Sequence, residues 1–153
     1  MGIYAKRSAV PVERSKSQIE KILQRYGAGA FMYGSKAEKA VVQFEMNHLR
    51  IRFDLPLPDR SQFETNRRGA KRPVHQIEAS WDQACRQHWR ALALCILAKL
   101  EAVECGIATF EEEFMAHIVL PGGKTAAEWF IPQIPEIFEK KKLPPLLGES
   151  KGA

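Results

Sequence analysis

Residues 60–74, RSQFETNRRGAKRPV, carry five cations, Arg60, Arg67, Arg68, Lys71 and Arg72, against one carboxylate, Glu64. Arginine and lysine interspersed with Phe63, Asn66 and Gly69 can follow a phosphate backbone while the aromatic ring stacks on a base. The whole chain has a formal charge of +5, so most of the excess sits in this one segment. The competing reading is a charged loop that is merely solvated. Arg50 and Arg52, with the amino-terminal cations Lys6, Arg7, Arg14 and Lys16, would enlarge the positive surface if the fold brought them together.

Other residues invite chemistry less strongly. Glu113 and His117 are spaced to share one face of a helix, with Glu101 and Glu104 as further oxygen donors, which is the beginning of a metal site. Acidic residues in a first helical turn are explained more simply by the helix dipole, and no metal or cofactor is assigned. Cys85 and His88 stand one turn apart, but no third group is evident to orient the imidazole, so thiolate catalysis is not assigned. Cys85, Cys95 and Cys105 fit neither a disulfide framework nor a CxxC metal site and read as buried free thiols. Trp81, Trp89 and Trp129 read as core. PGGK at 121–124 lacks the spacing of a phosphate-binding loop and reads as a turn. Arg86 and Arg90 are candidate partner contacts on the outer face of a helix.

The elements that must position these groups follow from periodicity. Ser17 with Glu20 forms a capping box opening a helix over 18–26, whose stripe is Ile19, Ile22, Leu23 and Tyr26 and whose stop is Gly27. AFMYG reads as a strand. In AVVQFEMNHLRIRFDL, a two-residue turn at Asn47 and His48 pairs Met46 with Leu49, Phe44 with Ile51 and Val42 with Phe53 on one face. Glu45 then faces Arg50, and Gln43 faces Arg52, on the other. A long helix is expected over 76–104, apolar nearly all round in its second half. Thr109 with Glu112 opens a helix through about Val119, and Thr125 with Glu128 opens another that Pro132 stops. Pro135 begins a last one.

With 153 residues, 45% of them hydrophobic, the chain is sized for one packed core. The fold class is α+β: a three-stranded antiparallel sheet packed on a long central helix, with short N-terminal and C-terminal helices. The expected organisation is a basic extended arm over 1–16, a single domain over 17–147 and a flexible tail over 148–153. No signal peptide or membrane span is evident, which leads to the expectation of a cytoplasmic protein.

RIRFDLPLPD, joined to WRALALCILAKLEAVECGIATFEEEFMAHIVLPGGKT, resembles a family of small uncharacterised proteins encoded in tailed-phage and prophage genomes. The likeness runs from about Tyr4 to Leu147 and carries no assigned catalytic residues. It implies expression in a bacterial host cell, in phage DNA metabolism or interference with host defence. The order helix, three strands, helix also resembles the double-stranded-RNA-binding domain, but QIEASWD stands where that family has a lysine-rich helix start. The resulting expectation is a non-enzymatic accessory protein binding DNA backbone through Arg60, Phe63, Arg67, Arg68, Lys71 and Arg72, helped by Arg50 and Arg52. The alternative is a protein-binding inhibitor or adaptor acting on a host complex such as a defence system, with a host or phage protein as the partner.

Overall fold

The computed structural model describes residues 9–36 and 39–143. The arm residues 1–8, with Lys6 and Arg7, and the tail over 148–153 lie outside the described residues.

The first helix, α1, runs Val12–Arg25, so Arg14 and Lys16 are helical rather than part of an extended arm. It starts at Pro11 and not at the Ser17 box, because the stripe of Ile19, Ile22 and Leu23 continues backward through buried Ser15 to Val12, which packs against the core. Burial of that stripe outweighs a local capping signal. Gly27, at φ +87°, ends the helix, and the Ala28 amide donates to the Leu23 carbonyl.

Three antiparallel strands follow in the order β1-β2-β3: β1 Ala30–Lys36, β2 Lys39–Met46 and β3 Leu49–Pro56. The hairpin register is the expected one, with Met46 opposite Leu49, Phe44 opposite Ile51 and Val42 opposite Phe53. Asn47 and His48 both have positive φ, +52° and +61°, which makes a turn whose twist matches that of the strands it joins. Alternation buries Ala40, Val42, Phe44 and Met46 of β2 with Ile51, Phe53 and Leu55 of β3, and turns Glu45, Arg50 and Asp54 outward.

The long helix α2 spans Val74–Glu104. Its Trp89, Leu92, Ala93, Ile96 and Leu100 form one core with the inner face of the sheet and with α1. Gly106 reverses the chain at φ +71°, and the Thr109–Glu112 capping box opens α3, Phe110–Phe114. That helix is shorter than expected: after Phe114 the chain tightens into a 3₁₀ turn, Met115–His117. The turn aims Ile118 at the free edge of β3, where the Val119 amide donates to the Arg50 carbonyl at 2.8 Å. Residues 118–126 then form a small loop of their own, turning at Gly122 and Gly123, so the chain bridges the edge of β3 at Ile51, and among the described residues no strand pairs with the outer edge of β1. The Thr125–Glu128 box opens α4, Ala126–Phe130, which passes through a 3₁₀ turn containing Pro132 into α5, Ile134–Lys140.

Candidate nucleic-acid interface

The basic segment is a built structure. Asp59 accepts from the Ser61 amide and caps a 3₁₀ turn, Arg60–Phe63. Asn66 then organises the tip: its side-chain oxygen accepts from the amides of Arg68 and Ala70, and Gly69 takes φ +78°. A bridge between Thr65 and Lys71, with the Arg72 amide donating to the Glu64 carbonyl at 2.8 Å, closes residues 64–72 into a small hairpin.

This construction divides the expected site residues into two groups. Arg60 and Arg72 hold the hairpin to α2: the Arg60 Nε donates to Glu78 at 2.6 Å, while Arg72 reaches the Phe63 carbonyl and the Ser80 hydroxyl. Arg67, Arg68 and Lys71 are exposed on the tip, and among the described residues their side chains form no ion pair or hydrogen bond. Phe63 is half-buried and lines a groove, so it is not an open stacking platform.

Arg50 and Arg52 do not join the tip as free cations. Arg50 is exposed and paired across the hairpin with Glu45 at 3.3 Å. The Arg52 guanidinium is engaged, donating to the Gly123 carbonyl at 2.8 Å and to Glu128 at 2.6 Å, with Asp54 at 3.5 Å. It ties the C-terminal loop to the sheet. The Thr125 backbone and this guanidinium together hold the Glu128 carboxyl below its ordinary pKa. Arg52 stands opposite Gln43 as the register requires, but its guanidinium is held by a distant segment of chain.

The groove beneath Phe63 has a volume of about 560 Å³ and is walled by Pro56, Leu57, Pro58 and Ala84, with Gln87 and His88 at its side. Gln87 is only 7% exposed, and its Nε2 has no hydrogen-bond partner among the described residues. Nothing in the sequence separates this glutamine from its exposed neighbours. An unpaired buried amide costs about 1–3 kcal/mol, so Gln87→Met is expected to raise stability by about 1 kcal/mol, read as a thermal midpoint higher by roughly 2–4 °C. A lowered midpoint would mean that the amide is satisfied in solution.

The remaining candidates resolve in the same way. Once α3 ends at Phe114, Glu113 and His117 no longer share a helical face: Lys99 Nζ binds the Glu113 carbonyl at 2.8 Å, and the His117 ring stacks on Phe53 at 3.9 Å. Among the described residues no three His, Cys, Asp or Glu side chains gather as metal ligands. Burial first, and then the Lys99 charge, lower the His117 pKa from its ordinary 6.5. The unfolded chain therefore binds the proton more readily than the native one. His117 should contribute stability above about pH 6.5 that is lost as the pH falls below it. Urea midpoints at pH 7.5 and 5.0 should diverge less in His117→Phe than in the parent; an unchanged divergence rejects the assignment.

Cys85 is buried, and desolvation raises its thiol pKa, whereas Cys95 and Cys105 are exposed, correcting the expectation of three buried thiols. Trp89 is core and Trp81 donates to the Pro58 carbonyl, but Trp129 is exposed beside Phe130. Arg86 pairs with Asp82, and Arg90 donates to Gln18. Among the described residues no helix is long and apolar enough to cross a membrane. No protein-family model, curated protein or solved structure matches the chain.

Proposed function

We propose that this protein is a non-enzymatic accessory protein that binds nucleic acid, DNA in the first instance, by its phosphate backbone, with the tip of the β3–α2 hairpin as the grip. The family likeness would set it in a bacterial cell carrying phage or prophage DNA. The supporting observation is the tip itself: Arg67, Arg68 and Lys71 stand exposed, and unpaired among the described residues, on a turn whose backbone is held by Asn66 and whose base is stitched to α2 by Arg60 and Arg72. Cations held in place on a fixed turn lose little freedom when they meet a polyanion. With three contacts the binding is modest and steeply dependent on salt. Retention of labelled single- and double-stranded DNA at low and moderate salt tests it, and absence of retention at low salt rejects it.

A protein-binding inhibitor or adaptor is the second reading, favoured by the exposed apolar side chains Trp129, Phe130, Ile131 and Phe138 of the C-terminal helices. A stoichiometric protein partner that survives nuclease treatment and is lost from Ile131→Asp/Phe138→Asp would support it over the first.

A further inference from the structure

A second cationic site lies away from the hairpin, between α1 and α2. Arg14, Ser17, Gln18 and Lys21 follow one another at i, i+3, i+4 and i+7, so they share one face of α1. Arg90 of α2 reaches across to the same face, where its guanidinium donates to the Gln18 side-chain oxygen. These residues and Val10 line a concavity of about 400 Å³. Three of the six are cations and none is a carboxylate. The nearby acid Glu13 is drawn away to Lys16, at 3.1 Å. Arg14 and Lys21 form no ion pair among the described residues, and the other N–H groups of Arg90 have no partner there.

Three like charges converging on one hollow repel one another, and with no carboxylate among its described lining residues the repulsion is left to be relieved by an anion from outside. The bond from Arg90 to Gln18 orients the guanidinium in the hollow. Arg90 can then present two parallel N–H groups to two oxygens of one tetrahedral anion, with Arg14 and Lys21 lining the same hollow and the Ser17 hydroxyl as a neutral donor.

We propose that the hollow between α1 and α2, formed by Arg14, Ser17, Lys21 and Arg90, is a binding site for a phosphate group, carried either by a free phosphate ester or by a nucleic-acid backbone. It stands whether or not the hairpin tip binds DNA. Arg90 lies sixteen residues beyond the start of α2, roughly 24 Å along the axis, so the hollow and the tip are separate contacts.

The test compares the full chain with Arg14→Gln/Lys21→Gln and with Arg67→Gln/Arg68→Gln/Lys71→Gln. Inorganic phosphate is titrated at constant ionic strength against chloride, reading the amide resonances of Ser17 and Gln18, the Arg90 side-chain Nε–H and the thermal midpoint. Saturable shifts and a raised midpoint are expected in the parent and the hairpin variant. Both should weaken at least tenfold in the Arg14/Lys21 variant, whose own midpoint without phosphate should not fall, since it loses only repulsion. A twelve-nucleotide single strand then separates the sources. If the Arg14/Lys21 variant lowers the slope of log affinity against log salt by about 1.4, the phosphate belongs to the backbone. If oligonucleotide binding is unchanged while inorganic phosphate is still lost, the site serves a free phosphate ester. No saturable shift with either probe, or equal shifts in parent and Arg14/Lys21 variant, overturns the proposal.

Discussion

Replacing Arg67, Arg68 and Lys71 together with Gln should weaken DNA retention about a hundredfold at 0.1 M salt, while leaving the thermal midpoint within about 1 °C of the parent. The magnitude follows from counterion release: each phosphate contact adds about 0.7–0.9 to the slope of log affinity against log salt, so three contacts add at least two, or two orders of magnitude between 1 M and 0.1 M. Stability is spared because the three side chains are exposed and, among the described residues, none carries a bond that holds the hairpin together. The complementary change, Arg60→Gln/Arg72→Gln, removes the links to Glu78, Phe63 and Ser80 and should act by loosening the tip. Its loss of affinity should therefore come with a lower midpoint. Electrophoretic retention across a salt series, run with thermal denaturation of each variant, checks both. If the tip variant binds as tightly as the parent with the same salt slope, the hairpin is not the grip.

Phe114→Ala should be among the most damaging single changes to stability in this chain, costing about 3–5 kcal/mol. Phe114 is fully buried where the sheet meets α3: its ring meets Phe44 and Phe53 edge-on at 6.0 and 6.3 Å and stacks on Phe110 at 4.6 Å. Edge-to-face pairs of this kind add to the area term, so truncation loses both and leaves a cavity between rigid elements. Against a total stability of about 5–15 kcal/mol, that is a fall in midpoint on the order of 10 °C. Because Phe114 also positions the chain that crosses to β3, the Val119 to Arg50 bond should exchange its amide proton faster in the variant. A fall under about 3 °C would show that the site collapses around the missing ring and that the aromatic cluster is not a keystone of the fold.

Much of the architecture was legible because it rests on local rules. The hairpin register followed from alternation and a two-residue turn, and the capping boxes at Thr109 and Thr125 both formed as their spacing required. The start of α1 was misread for the opposite reason: Ser17 and Glu20 make a valid local signal, but an apolar stripe reaching back to Val12 had more to gain from burial. The shortening of α3 was hidden likewise, since the chain had to leave the helix after Phe114 for Ile118 to reach the edge of β3.

The candidate site divides along the same line. The sequence by itself determined where the cations lie along the chain, which residues alternate in the sheet, and that one core would form. Only the tertiary structure decided which cations are free. Arg52 and Glu128 are 76 positions apart, and Arg90 and Gln18 are 72 apart. A charge becomes structural or available according to what the fold carries to it from elsewhere in the chain, and spacing within a single segment holds no record of that.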